Sequence, residues 1–178
     1  MVAGVAPGGL ALLEFADRPM LETQLKTVAA RFRARLEPGR TAIHDWIQSE
    51  LDQYFSESGS APFSVPVVRP GTPFQERVWD ALLTIPAGET VSYAEIAARI
   101  GQPSAVRAVA RANGMNRLAL VVPCHRVIAS DGQLAGYGGG TWRKAALLDR
   151  EHRLAAQPAQ TEPALRNAAE MRLAASAS

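Results

Sequence analysis

The chain has 178 residues, of which 47% are hydrophobic and 20% charged, with a formal net charge of +2; this globular composition excludes a charge-rich disordered protein and bounds the fold to one or two compact domains. No run of about 18 apolar residues is present to span a bilayer, and no basic segment precedes a hydrophobic one at the amino terminus, so a cytoplasmic protein without a membrane partner is expected. The single cysteine excludes an internal disulfide and a cysteine-rich zinc site, which leaves that residue as either buried filler or a reactive group.

In chain order, residues 1–60 read as a strand followed by two helices. Leu10-Ala11-Leu12-Leu13-Glu14-Phe15 is an apolar run after Pro7-Gly8-Gly9 and suits a buried strand. Leu21, Leu25, Val28, Ala29 and Phe32 recur at helical spacing, with Pro38-Gly39 as the stop, and a second helix from Thr41 places Ile43, Ile47, Leu51, Tyr54 and Phe55 on one face. Residues 56–62 are small and polar and predict a loop leading into a short strand, Phe63-Ser64-Val65-Pro66-Val67-Val68. A boundary near Pro70-Gly71 divides an N-terminal α/β domain, residues 1–70, from a C-terminal domain, residues 71–154. There Thr72 caps a helix carrying Phe74, Val78, Trp79 and Leu82, which Pro86-Ala87-Gly88 ends.

Ser92 can cap a helix over residues 93–100, Gly101-Gln102-Pro103 turns the chain, and Ser104 can cap a second helix running to Asn113 before Gly114. This is a helix-turn-helix candidate over residues 92–113. No acidic residue lies between Glu95 and Asp131, whereas Arg99, Arg107, Arg111, Arg117 and Arg126 do, a local charge of +5. Arg107 and Arg111 share one helical face among Ala105, Ala108, Ala110 and Ala112, small residues that permit close approach to a duplex. A merely solvated helical face is the competing reading.

Leu118-Ala119-Leu120-Val121-Val122 reads as a buried strand delivering the chain to Pro123 and Cys124. Ser130-Asp131-Gly132 is a turn and Gly136-Tyr137-Gly138-Gly139-Gly140 a flexible loop; a helix then begins at Thr141 with Ala145, Leu147 and Leu148. Residues 155–178 read as a poorly ordered tail.

A free thiol with a pKa of about 8.5 is mostly protonated at neutral pH, so a reactive Cys124 needs a base or a positive field, and His125 and Arg126 are its neighbours. Adjacent residues in a strand point to opposite faces. The thiol and imidazole can therefore cooperate only if the strand ends here or a water bridges them. Buried filler is the alternative, but Pro123, the polar residues that follow and the glycine-rich loop argue for reactivity.

Pro123-Cys124-His125-Arg126-Val127 followed by Gly136-Tyr137 resembles the active site of the O6-alkylguanine-DNA alkyltransferases, also called methylated-DNA–protein-cysteine methyltransferases. Phe74-Gln75-Glu76-Arg77-Val78-Trp79, Ile85-Pro86-Ala87-Gly88-Glu89-Thr90-Val91-Ser92-Tyr93, Val106-Arg107-Ala108-Val109 and Asn116 extend the resemblance over residues 71–153. Residues 12–25 look most like bacterial adaptive-response members, so the chain is also compatible with a piece of a larger regulator. The resemblance implies an α+β protein, with a small ribonuclease H-like sheet-and-helix domain ahead of a mostly helical domain containing the helix-turn-helix. It implies a single-turnover enzyme, monomeric and without cofactor or metal. Its partner would be double-stranded DNA, and the alkyl group of O6-alkylguanine, or of O4-alkylthymine, would pass irreversibly to Cys124.

By the same resemblance, His125 connects to Cys124 through water and Glu151 holds the histidine, while Asn116 braces the turn and Tyr93 offers its hydroxyl to the guanine ring. Arg107 is the finger that fills the gap left by the flipped nucleotide, and Ser92, Tyr93, Ala108, Arg111, Arg126 and Arg99 lie along the DNA. Carbonyls of Cys124 and Val127 accept the guanine amino group, Tyr137 and Pro123 line the pocket, and the Gly138 amide reaches O6. The family has a further strand ahead of residues 10–15, which this chain is expected to lack. A single cysteine does not match relatives that carry a structural zinc or a cysteine-rich phosphotriester domain. Asn113, Arg117 and Ala119 stand where some relatives have bulkier residues or proline, so tolerance for large alkyl groups is open. A non-catalytic damage-binding relative would lack Cys124, a transcription regulator would not need the Pro-Cys-His-Arg-Val run, and a cysteine hydrolase would need a direct thiol-imidazole pair.

Overall fold

The structure, a computed structural model, describes residues 1–56, 62–134 and 136–157 and mixes helices with two small sheets. It opens on a hairpin: β1 (Val2–Ala6) runs antiparallel to β2 (Gly9–Glu14). The expectation that no strand precedes residues 10–15 is therefore corrected, since small and β-branched residues, with Gly4 packed against Leu12, let the first residues pair. Gly9 adopts a φ of 149°, and a Cβ there would lie 2.2 Å from the Pro66 carbonyl oxygen, so only glycine lets the hairpin approach that close.

Every residue of β2 is buried. Ala11 and Leu12 pack on Val28 of α1 (Leu21–Phe32), while Leu10 and Leu13 join the main core. The second edge of β2 meets two irregular segments: Leu10 N donates to Pro66 O at 2.8 Å, and Leu13 N to Arg117 O at 2.7 Å. The strand expected over residues 63–68 reduces to a single bridge, Leu10 to Val67, because Pro66 has no N–H to extend a ladder. The run 118–122 is likewise not a strand beyond the Leu13–Leu118 bridge. Leu120 sits at φ 70°, and Val121 N and Val122 N donate back to Ala119 O and Leu118 O, so this apolar segment is a buried succession of turns.

Three of the helices start at side-chain caps. α1 stops earlier than Pro38-Gly39, at Arg33, whose φ of 50° lets its N–H reach the Ala29 and Ala30 carbonyls. Next come α2 (Ala42–Phe55), capped at Thr41 with His44, and α3 (Pro73–Leu83), whose Thr72 and Gln75 cap each other reciprocally. β3 (Val91–Ser92) leads into α4 (Tyr93–Arg99), closed by the Ser92–Glu95 capping box. Ser104 does not cap the following helix: it lies inside a 3-10 turn, Pro103–Ala105, and α5 (Val106–Gly114) starts from Ala105. Proline at the first position of that turn pulls the chain into helical geometry before Ser104 can act.

α3, α4 and α5 pack on one another, and β3 pairs in parallel with β4 (Val127–Ile128), bringing residues 91–92 beside the segment that follows Cys124. α6 (Thr141–Ala156) continues past residue 155, where the tail was expected to begin; residues 158–178 of that tail lie outside the described residues. One buried cluster takes Leu10, Leu13, Ile47, Leu51 and Tyr54 from one side of residue 70 and Val78, Trp79, Ile96, Val109, Val122 and Leu147 from the other. Among the described residues, no helix is long and apolar enough to cross a membrane, and no group of His, Cys, Asp and Glu could hold a metal ion.

Candidate active site

Cys124 opens a single 3-10 turn, Cys124–Arg126, placed between the turns of 118–122 and β4. The extended backbone that would have sent Cys124 and His125 to opposite faces is thus absent, which meets the geometric condition for their cooperation. The turn is anchored by Asn116. Its Oδ1 accepts from Leu118 N at 3.0 Å, while Nδ2 donates to Val122 O at 2.8 Å and approaches Cys124 Sγ at 3.1 Å. Asn113 Nδ2 reaches the Cys124 carbonyl at 3.4 Å.

Burial pushes the Cys124 thiol up to about 11, and the Asn116 hydrogen bond opposes this, so the resting group is a protonated thiol that needs a base. His125 is fully buried and burial holds its imidazole below its ordinary value, against the pull of Glu151; it is neutral at pH 7. His125 Nε2 lies 2.9 Å from Glu151 Oε1, whereas Nδ1 has no partner. A carboxylate selects the tautomer with hydrogen on Nε2, which leaves the Nδ1 lone pair as the base.

Glu151 sits on α6 with 2% exposure and accepts from the Tyr54 hydroxyl at 2.8 Å and from Arg126 Nε and Nη2 at 2.9 Å each. Burial pushes its carboxyl up, but the hydrogen bonds and charges of His125 and Arg126 outweigh this and hold it well below the usual carboxylate range. Arg126 also donates to the Ile85 carbonyl at 2.6 Å. Its expected place among the DNA contacts is therefore corrected: the guanidinium turns inward because a buried carboxylate is there to receive it.

The cleft beside Cys124 is narrow and is lined by Glu14, Arg18, Asn116, Tyr137 and Gly138, among others. The buried Tyr137 hydroxyl has no partner, and the ring stands edge-on to His125 with centroids 6.4 Å apart. Tyr93, at the start of α4, is half-buried, with its hydroxyl 3.5 Å from where a Cβ on Gly136 would lie. Pro123 and Val127 do not line this cleft: Pro123 faces a second cleft with Tyr54 and Phe63, and the Val127 carbonyl accepts from the buried Lys144 Nζ at 2.5 Å. Arg99, Arg107, Ala108 and Arg111 are exposed on α4 and α5, while Ser92 is bound up in its capping box.

A family profile described as "6-O-methylguanine DNA methyltransferase, DNA binding domain" matches residues 73–153. A methylated-DNA–protein-cysteine methyltransferase of Mycobacterium leprae is 55% identical over 103 residues, covering 58% of this chain but only 62% of that protein. The Mycolicibacterium paratuberculosis protein of the same name is 44% identical over 153 residues, covering 81% of this chain and 88% of its own length. The chain belongs to this methyltransferase family. An OGT of Mycobacterium tuberculosis, solved in complex with DNA, superposes with a TM-score of 0.71 at 41% identity over 88% of each chain. The O6-methylguanine-DNA methyltransferase of Pyrococcus kodakaraensis superposes with a TM-score of 0.63 at 27% identity, covering 81% of this chain and 86% of its own.

Beyond the family motifs, the site contains residues that the sequence left unassigned. Tyr54 comes from α2 to hold Glu151, and Glu14 and Arg18 come from the end of β2 to wall the cleft. Glu14 is 1% exposed, and burial pushes its carboxyl up to about 7 against the Arg18 charge. A carboxylate closing an apolar strand, with an arginine four residues on, was the available signal. Lys144, fully buried on α6, gave none: a lysine in an amphipathic helix ordinarily reads as solvated.

Proposed function

We propose that the chain repairs DNA by moving the alkyl group of O6-alkylguanine, and of O4-alkylthymine, onto Cys124, one group per molecule. The observation that carries this reading is the Cys124 site itself: a buried protonated thiol on the cleft, followed in the chain by a buried neutral histidine with an unpartnered Nδ1 and a carboxylate fixing its other nitrogen. The thiol proton passes to His125 Nδ1 through a bridging water, and Sγ forms a bond to the alkyl carbon as the carbon–O6 bond breaks. The electron pair goes to the base, which regains neutrality by taking a proton within the site. Tyr93 would donate a hydrogen bond to the ring, and the Gly138 amide to O6. The resulting thioether resists hydrolysis, so turnover stops at one.

A stacked base cannot present its O6 substituent to a buried thiol, so the nucleotide leaves the duplex first. Residues 92–113 act as a helix-turn-helix in the minor groove, with Arg107 filling the gap and Arg99 and Arg111 on phosphates. Ala108 and the neighbouring small residues allow close approach. Among the described residues neither Arg107 nor Arg111 pairs with a carboxylate, which leaves both cations for DNA. Residues 71–154 carry the reaction, and residues 1–70 buttress it through Tyr54.

Incubation with duplex DNA containing O6-methylguanine, followed by intact-mass and peptide analysis, is expected to place one methyl group on Cys124. Folded protein that forms no adduct, or that repairs several sites per molecule, would overturn the proposal. Arg107→Ala is expected to slow repair in duplex DNA more than transfer from the free base; equal losses would reject the finger role.

A further inference from the structure

The glycine loop, residues 136–140, does not stand alone over Cys124. Glycine-rich chain is entropically costly to order, and the order here is supplied from the far end of the sequence. Phe15 meets Tyr137 edge-on with centroids 6.4 Å apart, and a Cβ added at Gly139 would lie 2.7 Å from the Phe15 ring. A Cβ at Gly138 would lie 2.5 Å from the Arg18 guanidinium. Arg143 completes the junction: it donates to the Gly139 carbonyl at 2.8 Å, pairs with Asp17 at 2.7 Å, and lies over the Phe15 ring at 4.6 Å.

Arg18 is held in its turn. It pairs with the buried Glu14 and donates to the carbonyls of Gly114 at 3.2 Å and Asn116 at 3.3 Å, so it bridges the end of α5, the anchor of the Cys124 turn and the loop. Both Glu14 and Arg18 line the cleft that holds Cys124. The glycines are thus required by the close approach of Phe15 and Arg18, and the wall facing the thiol is set by residues 14–18.

We propose that residues 14–18 form a clasp that positions the glycine loop over Cys124 and limits the size of alkyl group the cleft accepts, with Phe15 and Arg18 as its specificity-determining side chains. This rests on the alkyl-transfer reading above. Removing the Phe15 ring frees the loop to move back. A bulky alkyl group then gains room, whereas a methyl group gains nothing and loses the positioning of Tyr137.

The test compares wild type, Phe15→Ala and the milder Phe15→Leu, in single-turnover reactions with DNA carrying O6-methylguanine or O6-benzylguanine. Hydrogen exchange of peptides spanning 136–142 is measured alongside. The ratio of benzyl to methyl transfer is independent of the folded fraction, so partial unfolding cannot imitate the effect. It is expected to rise about tenfold in Phe15→Ala, the scale of discrimination that pocket fit supplies, and less in Phe15→Leu, with faster exchange in the loop. An adduct in the wild type with an unchanged ratio in both variants overturns size selection, and unchanged exchange overturns the clasp. A wild type that forms no adduct overturns the alkyl-transfer reading and size selection together, and loop exchange then decides the positioning role by itself.

Discussion

Replacing Glu151 with glutamine removes the charge on which three side chains converge. The carboxylate is 2% exposed, and it accepts from Tyr54, His125 and Arg126 at 2.8–2.9 Å. An amide retains one acceptor oxygen but must turn N–H groups toward donors, and it leaves the 13%-exposed Arg126 guanidinium without a countercharge. Breaking a buried pair from one side costs about 3–5 kcal/mol. At about 2–4 °C per kcal/mol for a chain of this size, Tm falls by about 6–20 °C. Transfer by the remaining folded protein slows by at least about tenfold, because general-base assistance is worth about 10²–10⁴ and the imidazole loses the partner that fixes its tautomer. Tyr54→Phe is the control: it removes one donor, leaves the ion pair intact and costs about 1 kcal/mol.

Thermal unfolding and single-turnover methyl transfer, measured on the same preparations, decide the matter. The acid side gives an independent reading. A carboxyl held below its unfolded value contributes stability that is complete above the ordinary carboxylate range and is lost as the pH falls through its folded value. The stability gap between wild type and Glu151→Gln therefore closes in acid. A variant melting within about 2 °C of wild type, with an unchanged transfer rate, would show that the Glu151 charge holds neither the fold nor the imidazole.

Three further outcomes follow from the geometry. With the Cys124 thiol pushed up to about 11 and His125 already neutral, transfer is expected to be nearly flat from about pH 7 to 9 and to fall only where the imidazole protonates, below about 6.5; a tenfold rise per pH unit across the upper window would mean simple thiol ionisation without the histidine. Asn116→Ala strips the Leu118, Val122 and Cys124 contacts from a buried turn and is expected to cost about 2–4 kcal/mol in urea unfolding together with most of the transfer rate; an unchanged midpoint would reject its anchoring role. Gly9→Ala forces a Cβ to 2.2 Å from the Pro66 carbonyl and is expected to destabilise by about 2 kcal/mol or more, read as a lower urea midpoint, with little effect on the benzyl-to-methyl ratio.

Legibility in the sequence followed the range of the interactions concerned. Local signals predicted helices well: Thr72 with Gln75 and Ser92 with Glu95 satisfy backbone groups within one turn, and both boxes form. The Leu118-to-Val122 run misled because apolar content alone cannot distinguish a buried strand from buried turns; the decision rests with Asn116 and the left-handed Leu120. Arg126 read as a surface cation because the carboxylate that captures it lies 25 residues away on α6. Asn116 lies against Cys124 Sγ and His125 against Glu151, whereas Glu14 and Arg18 reach the site across 96 or more residues from Gly114 and Asn116, a distance no local pattern encodes. Ser104 shows the converse failure, a good capping residue overridden by the proline before it.

Cys124 is the chain's one cysteine and is 8% exposed. Thiol reagents should therefore reach it slowly in the native state and rapidly once the chain is unfolded. If each repair event converts that sulfur to a thioether, the protein keeps a permanent record of its own history: titrating thiols in denaturant against total protein gives the fraction of molecules that have met a lesion. No second cysteine blurs the count, so a purified sample becomes a dosimeter for the alkylation that its DNA has suffered.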